Sequence, residues 1–328
     1  MPPLVSILIP AYNAEPWITE TLKSAVGQSW QHKEIILVDD GSKDATVALA
    51  QQFQSASVQV VQQENRGPAA ARNHAYRLSQ GDYIQFIDAD DLLSPDKIAE
   101  QIKVLCQSPP RVLGICPWTY FQDGADPEGG LAENGWPAVD TDAPIEWLIE
   151  LFGPEGPSGM VPHGAWLTPR VVAEAAGPWD ETPSPDDDGE YFTRAILASS
   201  GIRRAAAGRF YYRKRSMGGT WSSTRNAKLQ AGSLYSLERK AEHLLARTCD
   251  PRAKRALANG FMYRAVEAYP YFPELSRRAF LQAEKLGSTD FVPPFGTRAG
   301  NLINRWFGWR AARRMQALYH RYKPVILE

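Results

Sequence analysis

Cysteine is scarce in this chain: Cys106, Cys116 and Cys249 are the only three in 328 residues, and no two lie close in sequence. That excludes a disulfide scaffold and a four-cysteine zinc site, and it fits reduced thiols in the cytoplasm. Long apolar runs are missing as well. No stretch approaches the roughly 18–20 apolar residues that a bilayer-spanning helix needs. The first apolar run, Leu4 to Ile9, stops at Pro10 and has no basic residue before it, so no secretory signal is read there. An excess of either charge is absent too, with 36 basic against 37 acidic residues. Without a broad basic face to neutralise phosphates, nucleic acid is not an expected partner. The expectation is a soluble cytoplasmic protein, with peripheral contact at the inner face of a membrane as the only membrane role left open.

What is present is periodicity of two kinds in alternation. Val5 to Ile9, Ile35 to Val38, Val58 to Val61 and Tyr83 to Ile87 are short apolar runs that read as strands buried on both faces. Between them, helical spacing appears over Pro16 to Gln28, Asp44 to Gln54 and Pro68 to Ser79. A further helix opens near Ser94-Pro95, a serine cap with proline at the first helical position. Alternation of this kind implies parallel strands joined by right-handed helical crossovers, an α/β sheet. Gln122 to Pro162, rich in Pro, Gly and acid, reads as a long loop region with a short helix near Ile145 to Phe152. From about Arg225 the pattern turns helical, with segments near Arg252 to Tyr269, Glu274 to Leu286 and Thr297 to Tyr322. The expected division is residues 1–220, with halves 1–106 and 107–220, followed by a helical lobe over 221–328.

Ligands of open α/β sheets sit beyond the carboxyl ends of the strands. Those ends carry Tyr12-Asn13, Asp39-Asp40 and Asp88-Ala89-Asp90, so acids far apart in sequence converge on one edge. Asp88 and Asp90, at i and i+2, point the same way while a strand lasts, and two carboxylates that close repel each other unless a cation lies near them. Hard oxygen ligands suit Mg²⁺ or Mn²⁺. The residues alone also permit a solvated strand end, with Asp91 or Ser94 capping the next helix. Tyr12 reads either as an aromatic face for a stacked base or as a half-buried packing residue. Asp39 and Asp40 read as acceptors for a base or ribose, or as turn and cap residues.

Four stretches, taken in order, closely resemble the inverting glycosyltransferases of family 2, which have the GT-A fold: Val5 to Asn13, Glu34 to Asp44, Asn65 to Asn73 and Phe86 to Asp91. The resemblance implies a mostly parallel central sheet with flanking helices and a nucleotide-diphosphate sugar, usually a UDP-sugar, as donor. It assigns Pro10, Ala11 and Tyr12 to the nucleobase, Asp40 with Asp39 beside it to the uracil imide, and Arg72 to the base or diphosphate. Asp88, with Ala89 next to it, would face the ribose or donor sugar, and Asp90 would hold a Mn²⁺ or Mg²⁺ ion bridging the diphosphate.

Transfer to a hydroxyl also needs a carboxylate to take the proton. Gly177 to Thr182 followed by Pro185 to Arg194 resembles the second half of the family pattern and puts the base at Asp188, with Asp187 the alternative. An acidic helix start favoured by the dipole would look the same. His163 and Trp166 fall in a stretch that resembles the acceptor-side wall. Arg213 to Trp221, with Lys214, Arg215, Gly218 and Gly219, reads as a lid over the diphosphate or as a plain basic loop.

The final helix mixes arginines with Trp306, Phe307 and Trp309. It is read chiefly as closing the helical lobe with Ala311, Met315, Leu318 and Tyr322 inward, and alternatively as lying on an anionic membrane. Leu302 to Trp306 lacks the glutamine of the Q-x-x-R-W signature of processive synthases. The expected activity is therefore metal-dependent, inverting, non-processive transfer of one hexose or N-acetylhexosamine to a hydroxyl in polysaccharide, glycan or glycolipid assembly. A sugar-nucleotide hydrolase, a nucleotidyltransferase and a non-catalytic sugar-nucleotide-binding protein are the other classes the same acids would serve.

Overall fold

A computed structural model describes residues 2–132, 140–153, 161–215, 226–287 and 291–322. Gly218, Gly219 and Trp221, part of the expected lid, lie outside the described residues. The strands are β1 (Val5–Ala11), β2 (Lys33–Asp39), β3 (Val58–Gln62), β4 (Tyr83–Phe86), β5 (Leu92–Leu93), β6 (Val112–Ile115), β7 (Trp118–Gln122), β8 (Leu131–Ala132), β9 (Trp166–Pro169), β10 (Gly201–Arg204) and β11 (Phe210–Lys214). The helices are α1 (Ile18–Val26), α2 (Thr46–Gln51), α3 (Pro68–Leu78), α4 (Lys97–Leu105), α5 (Pro144–Phe152), α6 (Arg170–Ala176), α7 (Asp187–Ala198), α8 (Ala227–Leu245), α9 (Pro251–Ala268), α10 (Pro273–Lys285) and α11 (Arg298–Tyr322).

Two compact units divide the chain: residues 1–148 with 160–224, and residues 149–159 with 225–328. The first is built on a seven-stranded sheet of order β10-β6-β9-β4-β1-β2-β3. Its pairs are parallel except at β9, which runs antiparallel to both β4 and β6. β1 sits between β4 and β2, and Ile7, Leu8 and Ile9 are fully buried. Burying each such side chain contributes about 1.5–3 kcal/mol, which is why this run is apolar throughout rather than alternating. A second sheet has the order β5-β11-β7-β8, and of its strands only β8 falls well inside the Gln122 to Pro162 stretch read as loop.

Because β4, β1 and β2 are neighbours, their carboxyl ends lie side by side. The loops leaving them are tied together: Asn13 N–H donates to Ser42 Oγ, Lys43 N–H to Asn13 Oδ1 and Ala14 N–H to Thr46 Oγ1, at 2.8–2.9 Å. Asp39 Oδ2 accepts from the Gly41 and Ser42 N–H groups at 3.2 and 3.0 Å. The turn needs a positive φ of 77° at Gly41, where a side chain would be strained.

The helix expected at Ser94-Pro95 starts later, at Lys97. Neither Ser94 nor Asp91 caps it. The Ser94 hydroxyl accepts the Arg209 N–H at 2.8 Å, and Asp91 faces the other way, toward β11.

Lys97 is wholly buried, donating to Gln85 Oε1 and lying 3.3 Å from the Trp166 carbonyl oxygen. Burial lowers its amine from 10.5 to about 8. Between these values the unfolded chain holds a proton that the folded one has released, so stability rises with pH across that window. Relative to Lys97→Met, the wild type should gain up to roughly 3 kcal/mol as pH rises from about 8 to about 10.5. Urea midpoints of both proteins across that range measure it, and parallel curves would contradict it.

The second unit is helical. α8 and α9 start on the side-chain caps Asn226 and Asp250, which accept the Lys228 and Arg252 N–H groups at 2.8 and 2.7 Å. Ser276 of α10 donates to the Ala265 carbonyl of α9 at 2.8 Å. α11 is interrupted at Gly308, where φ is 77°. Beyond the break, Trp309 and Ala312 are buried, with Trp309 edge-on to Tyr269 at 5.6 Å. The inward stripe expected at Ala311, Met315 and Leu318 is thus wrong by about one position: Met315 and Leu318 are exposed, and the Tyr322 side chain lies outside the described residues.

Candidate active site

Arg72 is the centre of the site. It lies on α3, whose first residue, Pro68, has no N–H to leave unsatisfied. Its guanidinium is 4% exposed and forks between two acids, with Nη2 2.8 Å from Asp88 Oδ1 and Nη1 2.8 Å from Asp187 Oδ2. It also stacks over the Trp179 ring at 4.4 Å, and Trp179 in turn stacks on Tyr191 of α7 at 4.3 Å. Asn73, the next residue, reads the Trp179 backbone from both sides, donating to its carbonyl at 2.9 Å and accepting its N–H at 2.8 Å. The Arg72-Asn73 pair therefore joins the strand-end motifs to the second acidic motif, although 115 residues separate Arg72 from Asp187.

His163 lies in the same cluster and is buried. Its Nε2 is 3.2 Å from Asp88 Oδ1, and its Nδ1 is 3.9 Å from Asp188 Oδ2. Burial alone would push the imidazole down, but Asp88 and Asp188 outweigh it and raise the pKa to about 10, so the ring is a cation at neutral pH. Burial likewise pushes Asp88 up, yet His163 and Arg72 hold it well below the usual carboxylate range. Asp187 is raised, by burial above all and then by its neighbours Asp188 and Asp88, against the pull of Arg72. The two aspartates that open α7 are thus not equivalent. Asp187 is committed to Arg72, whereas Asp188 accepts its helix's Gly189 N–H at 2.8 Å and keeps Oδ2 beside His163.

Carboxylate oxygens of Asp88, Asp90 and Asp91 lie within 4.8 Å of one another. Burial and mutual repulsion raise Asp90 and, still more, Asp91. One cation, Arg215, answers Asp90, with its Nε 2.6 Å from Asp90 Oδ2. Three crowded carboxylates form a hard-oxygen set that fits a divalent cation such as Mg²⁺ or Mn²⁺. Asp91 was expected only as a cap; its adjacency to the acidic triplet was the signal that it belongs to the cluster.

Of the donor-side residues, Tyr12 is 52% exposed and presents a free ring face, while Pro10, Ala11 and Ala89 are buried and could offer a ligand little beyond backbone. Asp40 is buried and accepts three protein donors: Gln63 Nε2, Arg66 N–H and Gly67 N–H, at 2.8–2.9 Å. That uses three of about four acceptor positions on a carboxylate, so the expected imide acceptor also fixes the loop leading into α3. Asp39 Oδ1 is buried without a hydrogen-bond partner.

Two expectations change. Trp166 is 1% exposed, stacked on Phe192 at 5.3 Å and edge-on to Trp147 at 5.7 Å, so it is core and not acceptor wall. Arg213 is no lid cation, being buried and bound to Glu20 Oε2, Asp123 Oδ1 and the Asp90 carbonyl at 2.6–2.9 Å. Glu181 was missed: it accepts from Arg66 at 2.8 Å and Asn73 at 3.1 Å. The Gly-Pro-Trp-Asp-Glu turn carried it in plain view.

A model of glycosyl transferase family 2 matches residues 6–157. An uncharacterized glycosyltransferase of Haemophilus influenzae is 39% identical over 109 residues, 32% of this chain and 44% of that protein. The putative teichuronic acid biosynthesis glycosyltransferase TuaG of Bacillus subtilis is 40% identical over 108 residues, 32% of this chain and 43% of its own. Chondroitin synthase of Escherichia coli is 38% identical over 141 residues, 41% of this chain and 20% of that one. The chain thus spans less than half the length of these curated relatives. Among solved structures, S. aureus TarS 1-349 in complex with UDP-GlcNAc superimposes with a TM-score of 0.70 at 18% identity, over 97% of this chain and 91% of that one. The likeness establishes the GT-A fold.

Proposed function

Because residues 6–157 match the model of glycosyl transferase family 2 and about a third of the chain is 39% identical to a glycosyltransferase, we propose that the chain belongs to this family and is a metal-dependent inverting glycosyltransferase. It would move one sugar from a nucleotide diphosphate, UDP above all, to a hydroxyl of a growing polysaccharide, glycan or glycolipid. The observation that carries this reading is the convergence of Asp88, Asp187 and Asp188 on Arg72 and His163 beside the Asp90–Asp91 carboxylates. The UDP-GlcNAc held by the TarS neighbour and the polysaccharide names of the relatives support the donor and acceptor classes.

The nucleobase stacks on Tyr12, and Asp40, through its remaining lone pair, or Asp39 Oδ1 accepts the imide N–H. Asp90, with Asp88 and Asp91, would hold a divalent cation. When bound, that cation neutralises charge developing on the departing diphosphate. Asp188 Oδ2 takes the proton of the acceptor hydroxyl as its oxygen attacks the anomeric carbon and the bond to the diphosphate breaks. A single displacement in line inverts the anomeric centre. Arg72 and protonated His163 hold the carboxylates at these positions.

Full-length protein incubated with UDP-sugars, Mn²⁺ and an acceptor panel should release UDP together with a glycosylated product. Asp90→Ala should abolish the metal-dependent rate. Undiminished turnover in that variant, or UDP release with no glycosylated acceptor, would refute the metal site or the transfer reading respectively.

A further inference from the structure

α11 and the segment before it are charged in one direction only. Residues 291–322 contain no aspartate or glutamate, while Arg298, Arg305, Arg310, Arg313, Arg314 and Arg321 fall within the helix, in a chain of net charge −1. The helix already has a face that serves the core: Trp309 and Ala312 are buried, and Arg313 Nε reaches the Val266 carbonyl of α9 at 2.8 Å. Its opposite face is apolar too. Leu302, Trp306, Phe307, Met315 and Leu318 are each between 47% and 76% exposed. Arg298 and Arg305 are exposed as well, whereas Arg310 and Arg314 lie over the Phe280 and Tyr269 rings that pack on Trp309.

We propose that this outer face of α11 docks on an anionic lipid surface. An amphipathic helix that lies in the headgroup plane combines large apolar and aromatic side chains on one side with arginines that reach up to the phosphates. A partner protein's groove would be met by one narrow stripe at i, i+3/i+4, i+7. Here Trp306 and Phe307 are adjacent, so their rings spread about 100° apart around the helix. The break at Gly308 then separates Leu302 and Trp306 from Met315 and Leu318. That is a broad surface suited to a plane, and the one-signed charge supplies complementarity to acidic headgroups.

Co-sedimentation of the full chain with vesicles tests this independently of any sugar transfer. Binding should be strong to phosphatidylcholine–phosphatidylglycerol vesicles, fall at high salt, and be weak to phosphatidylcholine alone. The double variant Trp306→Ser/Phe307→Ser should bind the anionic vesicles about tenfold or more weakly. Arg298→Glu/Arg305→Glu should weaken binding comparably. All four residues are exposed, so an unchanged thermal midpoint certifies folding in each variant. No binding to anionic vesicles, or equal binding by the aromatic double variant, overturns the proposal. So does a mass that rises with concentration in the wild type but not in that variant, because the face would then belong to a second copy of the chain.

Discussion

Replacing Asp188 by asparagine is expected to lower kcat for sugar transfer by about 10²–10⁴-fold, the usual contribution of a positioned general base. Donor affinity should barely move, and the loss of stability should be smaller than in Asp187→Asn, because Asp188 touches the Gly189 N–H and approaches His163 at 3.9 Å but takes no part in the Arg72 fork. Asp187→Asn should behave in the opposite sense. Its carboxylate is one of the two that neutralise buried Arg72, so its loss should lower stability clearly. Steady-state kinetics with denaturation of both variants separates the roles. A larger kcat loss in Asp187→Asn at unchanged stability would shift the base by one residue.

The second large effect is expected at Arg72. Removing one member of a buried, hydrogen-bonded ion cluster leaves the other charges uncompensated, which typically costs about 3–5 kcal/mol. Arg72→Gln strands Asp88 and Asp187 together and removes the cation over Trp179. Urea unfolding at neutral pH should show the loss. The deficit should shrink as pH falls through the acid range, since Asp88 contributes its stabilisation only while ionised and its folded pKa is depressed by His163 and Arg72. Arg72→Lys should recover only part of the loss, because an ammonium cannot fork between two carboxylates and stack on an indole at once. A variant as stable as the wild type would show that Arg72 does not organise the site.

The alternation of apolar runs with helical stripes dictated β1 to β4 and α1 to α4, though not the short β5, and the order of the acidic motifs pointed to their common edge. Both are local properties: buried strands are continuous in sequence, and a strand's carboxyl end is where its apolar run stops. The companions of those acids were not legible in the same way. His163, Asp187 and Asp188 meet Arg72 only because β9 inserts antiparallel between β4 and β6 and α7 packs its aromatic face on Trp179.

Trp166 and the outer face of α11 show what patterning leaves undecided. An aromatic beside a polar motif can line a pocket or fill a core, and the rings of Trp147 and Phe192 settled that Trp166 fills it. α11 is apolar on two faces, so periodicity could not select the inward one. Packing of Trp309 against Tyr269 and Phe280, after the turn of phase at Gly308, made the choice. Residue type and pattern alone say which residues are chemically capable and which ends of the sheet carry them. Which of those residues touch was decided by the tertiary structure, because contact between positions a hundred residues apart depends on how whole elements pack and leaves no period in the chain.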